Sequence, residues 1–234
     1  MSAVQRGLSR GVGWVVTLLT PFVLIMTSVR LLMTHTFLQL EYRAPGFPAD
    51  TYGFNLADRL HWGGLSVDYL LNKAGISFLA DLHFDNGGPI YNARELSHMA
   101  DVKTLVQTTL VLWVVALIVL AALAVSAVWG KWGREYLKGL SRGGWLTVGL
   151  IVLILAGVGI SFDWLFTEFH HLFFTGDSWL FLYSDTLIRL FPIRFWQDGF
   201  ILMGIFCLVC GLILGIVLRP GKTREQESGV ARAD

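Results

Sequence analysis

The sequence carries little charge for its length. Only 15% of its 234 residues are Asp, Glu, Lys or Arg, whereas soluble domains carry about 25%. The formal net charge is +1, which gives no case for a nucleic-acid partner. The low charge argues against one or two soluble domains and turns attention to the apolar residues, which make up 54% of the chain.

Cysteine is nearly absent. The two that occur, Cys207 and Cys210, form one CxxC motif inside an apolar run. A quinone-coupled thiol oxidoreductase needs a second cysteine pair to pass electrons onward, so this class is disfavoured. Cys207 is in register with Gly211 and Gly215, and such a stripe of small residues predicts close helix packing.

A nucleophilic serine is poorly supported. The string GxSxG occurs twice, at Gly7–Gly11 and Gly139–Gly143, but both copies lie on the predicted cytoplasmic side and neither follows a predicted strand, as a nucleophile elbow does. Ser97 stands beside His98, but neighbouring residues of a helix point in different directions and do not form a nucleophile–base pair.

Four long apolar runs are what the sequence does contain. Each has about 20 nearly uncharged residues, the length that crosses a hydrocarbon core of roughly 30 Å, and in lipid such a run must be a helix. The predicted fold class is an all-α membrane protein with four transmembrane helices. The first run is too long for a signal-peptide core and no small-x-small site follows it, so we expect it to be retained. The predicted spans are 11–33, 104–129, 145–162 and 200–218.

Basic residues beside the spans predict the orientation. The positive-inside rule places segments 1–10, 130–144 and 219–234 in the cytoplasm, with both termini there. Segments 34–103 and 163–199 then lie on the extracytoplasmic face of the membrane. The residues that decide this are Arg6, Arg10, Lys131, Arg134, Lys138, Arg142, Arg219, Lys222 and Arg224.

Segment 34–103 is predicted to be largely helical. Residues 49–71 have an apolar helical face, and Gly63-Gly64 is predicted to break this helix in two. Residues 85–89 predict a turn. Asn92 and Glu95 have the spacing of an N-cap box, at the start of a helix that runs on into the second span.

Segment 163–199 is rich in aromatic residues, for which an aromatic belt at the membrane surface is an ordinary explanation. Ser184 or Asp185 is predicted to cap a short helix that ends near Pro192.

All six histidines lie in the two predicted extracytoplasmic segments. His98 is on the helix entering the second span, and His170 and His171 follow the third span. His98 and His170 are therefore expected at a similar depth near the lipid headgroups. Imidazole exchanges a proton near neutral pH, so such a pair suits general acid–base chemistry on lipid esters.

A metal site is a rival use of the same residues. Glu95, His98 and Asp101 share one helix face, with Glu168 and His170 available from the other segment. Three such ligands suit zinc or another divalent ion. Glu95 already has a capping role, however, and no HExxH pair occurs, so no metal or other cofactor is predicted.

Two sets of residues carry a family resemblance. They resemble the signature of a bacterial family of four-span integral membrane proteins that includes the lipoprotein intramolecular transacylase, Lit. The sets are Tyr91-Asn92-x-Arg94-Glu95-x-x-His98-Met99-x-Asp101-Val102-Lys103, and Phe169-His170-x-Leu172-Phe173-Phe174 followed by Gly176-x-x-Trp179-x-Phe181, Asp185-x-Leu187-Ile188 and Pro192-x-x-Phe195.

The resemblance implies an enzyme that moves the sn-2 acyl chain of a diacylglyceryl lipoprotein onto the α-amine of its N-terminal cysteine, giving a lyso-form lipoprotein. The family's two catalytic histidines match His98 and His170, whereas His171 falls on a variable position. Arg30, Tyr91 and Asn92 are expected to bind substrate as donors to the tetrahedral oxyanion, although headgroup snorkelling explains Arg30 equally well.

Two other functions remain open from the sequence. One is a non-enzymatic membrane module that binds lipid or a partner through the aromatic segment, and the other is a metal-dependent membrane hydrolase.

Overall fold

The structure, a computed structural model, describes residues 3–219. Within that range the chain is helical and has no strand, apart from one isolated β-bridge between His83 and Pro89. The side chain of Arg6 and the predicted tail beyond Arg219 lie outside the described residues. The helices are α1 (Ala3–Leu32), α2 (His35–Glu41), α3 (Leu56–Leu71), α4 (Ser77–Ala80), α5 (Ala93–Trp129), α6 (Gly133–Phe173), α7 (Thr186–Leu190) and α8 (Ile193–Val217).

Four of these helices are long and apolar enough to cross a membrane: α1, α5, α6 and α8. Each corresponds to one predicted span, so the all-α, four-span fold is confirmed. Helices α5, α6 and α8 run past the predicted spans toward the end of the bundle that carries His98 and His170. We call that end, residues 34–103 and 163–199, the histidine end. The loop end comprises residues 9–20, 133–148 and 211–217.

Small residues bring the helices together at the loop end. A Cβ on Gly143 would lie 2.5 Å from Cβ of Thr20, and one on Gly144 would lie 2.5 Å from the carbonyl oxygen of Gly211. The Ser141 hydroxyl donates across the interface to the Gly215 carbonyl at 2.9 Å. Glycine is therefore required for this approach of α6 to its neighbours, as is usual in membrane helix pairs.

Helix α3 differs from its prediction in two ways. It begins at Leu56 rather than near residue 49, because Asn55 and Asp58 form a capping box there. The predicted break at Gly63-Gly64 is wrong, since the helix is continuous through both. These glycines leave room for other side chains: added Cβ atoms would meet the Tyr42 hydroxyl at 2.7 Å and the His35 ring at 3.0 Å.

Helix α6 continues past residue 162, where the predicted third span ends, and carries a kink. Ser161 has extended backbone angles, φ −160° and ψ 100°, within the helix. Its hydroxyl accepts a hydrogen bond from the Trp164 N–H at 3.3 Å, as a helix N-cap would. Ser161 therefore restarts the helix in a new direction, and the restarted segment carries His170.

The start of α5 is as predicted. Asn92 and Glu95 form a capping box, and the helix runs without a break from Ala93 to Trp129. The second carboxylate oxygen of Glu95 accepts from the Leu187 N–H of α7 at 2.7 Å. Asp185 is the N-cap residue of α7, as predicted, but its carboxylate accepts from the Leu182 N–H. One buried carboxylate thus ties α7 to the first turn of α5.

Candidate active site

The two predicted histidines face each other. His98 lies one turn below the capping box of α5, and His170 lies near the end of the restarted part of α6. Their ring centroids are 6.0 Å apart with the planes 26° from parallel, and each residue is only 8% exposed. Two different membrane helices therefore bring two buried imidazoles into a stack.

Aromatic rings enclose the pair. Trp179 stacks on His170 at 4.8 Å between centroids, and Phe166 lies 4.3 Å from the same ring. Phe174 meets His98 edge-on at 4.9 Å and also lies 5.6 Å from His170, while Phe181 meets His98 at 5.3 Å. These rings exclude water from the histidines on several sides, which strengthens electrostatic interactions there.

The hydrogen bond of His170 fixes its tautomer. Nδ1 lies 2.7 Å from the carbonyl oxygen of Phe166. A carbonyl can only accept, so Nδ1 carries the hydrogen, and Nε2 of the neutral ring holds a free lone pair. The same carbonyl and the face of Trp179 would both stabilise a positive charge on His170.

His98 differs from His170 in this respect. Its Nδ1 is buried and has no hydrogen-bond partner among the described residues. A buried N–H without a partner is more costly than a buried acceptor without one. We therefore place the hydrogen of neutral His98 on Nε2, which makes that atom a donor.

The pair resists carrying two positive charges. Both rings are buried, and a proton on each would place two cations about 6 Å apart in an apolar surrounding. At most one imidazole is then charged at a time. Such a pair can take up a single proton and release it, which is what general acid–base catalysis requires.

Tyr91 and Asn92 are engaged in structural contacts. The buried Tyr91 hydroxyl lies 2.7 Å from the Ser66 hydroxyl, and burial raises its pKa above the ordinary value, so it stays protonated. The Asn92 side chain caps α5, and its Nδ2 donates to Asp185 at 3.1 Å. Their contacts explain both residues structurally, and their binding of substrate stays a prediction.

Neither Arg30 nor His171 is part of the stacked pair. Arg30 donates to the Met33 carbonyl at 3.2 Å and, among the described residues, makes no hydrogen bond to either histidine. His171 is exposed and touches Trp179 edge-on.

The metal ligands considered from the sequence do not assemble. Among the described residues no three His, Cys, Asp or Glu side chains are placed to hold an ion. Both oxygens of Glu95 are instead occupied by backbone N–H groups of Asn92 and Leu187. That constellation, including Asp101 and Glu168, therefore does not form.

The cysteines pack as predicted. Cys207 is fully buried and contacts the Ser28 hydroxyl of α1 at 3.7 Å. Gly211, one turn further on, packs against Gly144 of α6.

Sequence reasoning did not identify the rings that surround the histidines. A general aromatic belt in segment 163–199 does not predict that Phe166, Phe174, Trp179 and Phe181 enclose the two imidazoles. The available signal was their position: Phe166 lies one helical turn before His170, and Phe174 one turn after it.

The fold and site define a multi-pass, all-helical membrane protein with a buried histidine pair at one end of its bundle. The sequence profile of the family "Lipoprotein intramolecular transacylase Lit" matches residues 14–196. The chain therefore belongs to the Lit family.

One relative is similar in sequence, and two solved structures are similar in fold. An uncharacterized protein of Aquifex aeolicus (strain VF5) is 25% identical over 207 residues, covering 86% of this chain and 89% of that protein. The membrane-integral lipoprotein intramolecular transacylase Lit from Bacillus cereus has a similar fold, with a TM-score of 0.62 and 16% identity over 89% of this chain and 93% of that one. A structure of a histidine variant of the same protein gives a TM-score of 0.56 over 98% and 97% of the two chains, also at 16% identity.

Proposed function

We propose that this protein is an intramolecular O-to-N acyltransferase of the bacterial cell membrane. Its substrate is a diacylglyceryl lipoprotein, whose sn-2 acyl chain moves to the α-amine of the N-terminal cysteine. The product is a lyso-form lipoprotein. The observation that carries the proposal is the buried stack of His98 and His170 in a chain of the Lit family.

In this proposal His170 is the general base. An α-amine has a pKa near 7.7–8.0 and is mostly protonated at neutral pH, so it must lose a proton before it attacks. The free lone pair on Nε2 of His170 receives that proton. The Phe166 carbonyl and the Trp179 ring stabilise the resulting imidazolium.

His98 is the proposed hydrogen-bond donor to the reacting ester. Its Nε2–H is directed to the ester oxygen atoms, where negative charge develops as the amine attacks the carbonyl carbon. Collapse of the tetrahedral intermediate forms the amide C–N bond and breaks the bond to the glycerol oxygen. The nitrogen goes from an ammonium with three protons to an amide with one. Of the two protons lost, one goes to water and His170 passes the other to the departing glycerol oxygen, while His98 keeps its own proton as a hydrogen-bond donor. The step therefore balances without an oxidant, ATP or cofactor.

The protein gains most of its rate by holding one conformer. Nucleophile and ester belong to the same molecule, for which effective molarities of roughly 10⁵ M or more are typical. The aromatic segment beside the histidines offers an apolar surface for the acyl chains. Arg30 retains donors without a partner among the described residues, and of the three predicted binding residues it is the freest to contact substrate.

In this proposal the active site lies on the extracytoplasmic face. Basic residues cluster in the connection between α5 and α6, at the opposite end from the histidines, and the positive-inside rule assigns that connection to the cytoplasm.

Mass spectrometry of a lipoprotein N-terminus from cells that express the protein tests the proposal. Wild-type protein is expected to give the lyso-form, and His98→Ala and His170→Ala each reduce conversion by at least about 100-fold, the usual scale of acid–base catalysis. His171→Ala is the matched control and keeps full conversion. An unchanged diacyl form with well-folded wild-type protein would contradict the proposal, and full function in both histidine variants would favour a binding module instead.

A further inference from the structure

A cavity lies at the histidine end, between the loop after α2 and the first turn of α3. Its volume is about 270 Å³. Its lining is mixed: Phe47, Pro48, Phe54 and Leu56 form the apolar part, and Arg59 contributes a positive charge. The polar groups of Tyr42, Asp50 and Asn55 complete it. None of the lining residues belongs to the rings around His98 and His170. The cavity is therefore separate from the candidate active site.

Arg59 is buried with most of its donors unused. The residue is 6% exposed, and its single hydrogen bond to described residues runs from Nη1 to the Pro48 carbonyl at 2.7 Å. Its Nε is fully buried and has no partner among those residues. A guanidinium has five N–H donors, and the ring of Phe47, 5.3 Å away, compensates only part of its charge.

The acid in the cavity, Asp50, is hydrogen-bonded to Arg189 and not to Arg59. Asp50 accepts two hydrogen bonds from Arg189, at 2.9 and 3.1 Å, and one from the Phe54 N–H at 2.7 Å. Burial alone would raise the pKa of Asp50, but these hydrogen bonds outweigh it and hold the pKa below its ordinary value. The charges of Asp50 and Arg189 thus cancel each other. The charge of Arg59 remains, so the cavity has a net positive charge.

We infer that this cavity binds a phosphate group, supplied by the headgroup of a phospholipid, through the guanidinium of Arg59. A guanidinium fork matches the geometry of a phosphate and binds it with charge-assisted hydrogen bonds. The apolar walls fit the glycerol end of a lipid better than a fully hydrated ion. The sn-2 ester substrate proposed above has no phosphate, so this site is distinct from the substrate site.

The position of the cavity favours a lipid source. Helix α2, which leads into it, contributes Phe37 to an apolar cluster against which Leu32, the last residue of the first membrane helix, also packs. The cavity therefore opens within reach of the headgroup layer. The Tyr42 hydroxyl, on its wall, donates to the Leu190 carbonyl of α7 at 3.0 Å, so an occupied cavity would also support α7.

Native mass spectrometry of the full chain in detergent tests this inference. The probes are phosphatidylglycerol and a diacylglycerol with the same acyl chains but no phosphate. We expect one phosphatidylglycerol to be retained at least about tenfold more tightly than the diacylglycerol, the scale of one or two charge-assisted hydrogen bonds. Arg59→Gln should remove that preference, whereas Arg43→Gln, which removes an exposed charge nearby, should keep it.

A second variant covers the case in which Arg59→Gln does not fold. Ala49 is exposed and lines the same cavity, so Ala49→Trp would fill the space while keeping Arg59. It should lose the retained phosphatidylglycerol and keep its melting temperature. Equal retention of both lipids by wild-type protein, or full retention in a folded Ala49→Trp variant, would overturn the inference. Inorganic phosphate that binds as tightly as phosphatidylglycerol would assign the site to the free ion instead of a lipid.

Discussion

The loop end and the histidine end of the bundle are held together by different interactions. At the loop end, helices α1, α6 and α8 touch through glycines, with backbone carbonyls against Cα atoms. At the histidine end, short helices and loops are joined by buried hydrogen bonds such as Glu95 to Leu187 and by stacked rings. Close packing fixes the helices at the loop end, whereas polar contacts at the histidine end position a few side chains for chemistry. The difference predicts that substitutions at the two ends have different consequences.

The largest effect on stability is expected from Gly144→Ala. Its new Cβ would lie 2.5 Å from the Gly211 carbonyl oxygen, which forces α6 and α8 apart. Overpacking of this kind costs about 1–3 kcal/mol, and activity should fall with the loss of folded protein. Gly149→Ala on the same helix meets nothing within 4 Å and should melt like wild type. Equal melting temperatures for the two variants would show that the contact of Gly144 with Gly211 does not stabilise the loop end.

The next effect concerns the link between α5 and α7. Glu95→Gln leaves one backbone N–H, of Asn92 or Leu187, facing an amide NH₂ instead of an oxygen. We expect a loss of about 2 kcal/mol and at least a tenfold fall in acyl transfer, because His98 lies one turn away. Glu168→Gln, at an exposed position of the same end, is the control for loss of charge. Acyl transfer at the wild-type rate in Glu95→Gln would show that this carboxylate does not position His98.

A smaller effect should follow from Ser161→Ala. The substitution removes the hydroxyl that accepts from Trp164 N–H at the kink, and loss of such a cap costs about 1 kcal/mol. Since the kink directs the segment bearing His170, we expect transfer to decline more than the melting temperature does. Comparing both quantities with those of Ser178→Ala, a substitution in the loop after α6, checks this expectation. Parallel declines would mean that the kink affects stability only.

The smallest effect depends on pH. Glu41 is only 4% exposed. Its burial raises its pKa to about 7, with a further contribution from the charge of Asp198 and a hydrogen bond to it. A raised pKa means that its contribution to stability is complete below pH 4.5, the ordinary value, and is lost as pH rises to about 7. Glu41→Gln, which cannot ionise, should be more stable than wild type by about 1 kcal/mol at pH 8 and equal to it at pH 4.5. Melting curves at the two pH values measure this, and a gain at pH 4.5 alone would contradict it.

The sequence predicts the two ends of the molecule with different success. Long apolar runs and the register of Cys207 with Gly211 indicate the spans and their packing, because lipid allows so few alternatives. At the histidine end, the Asn92–Glu95 box and the facing of His98 and His170 were predictable from spacing and topology. The kink at Ser161 and the continuity of α3 through Gly63 were not, since each depends on a neighbour distant in sequence or on a local cap.

The enclosure of the histidines was also beyond the sequence. Trp179 reaches His170 only because the chain turns back after Phe174. The same applies to the cavity at Arg59, where the pairing of Asp50 with Arg189 joins residues far apart in the chain. Local patterns carry no record of such contacts.

The central claim is that His98 and His170 transfer an acyl chain within one substrate molecule. The direct measurement uses purified protein in lipid with a synthetic diacylglyceryl lipopeptide whose sn-2 chain is isotopically labelled, mixed with an unlabelled lipopeptide of different sequence. With wild type and His171→Ala, fragment mass spectra should show the label on the α-amine of the peptide that carried it, and not on the other peptide. With His98→Ala or His170→Ala, neither α-amine should carry the label. Label that stays on the ester with folded wild-type protein, or transfer that persists in a folded histidine variant, would contradict the account.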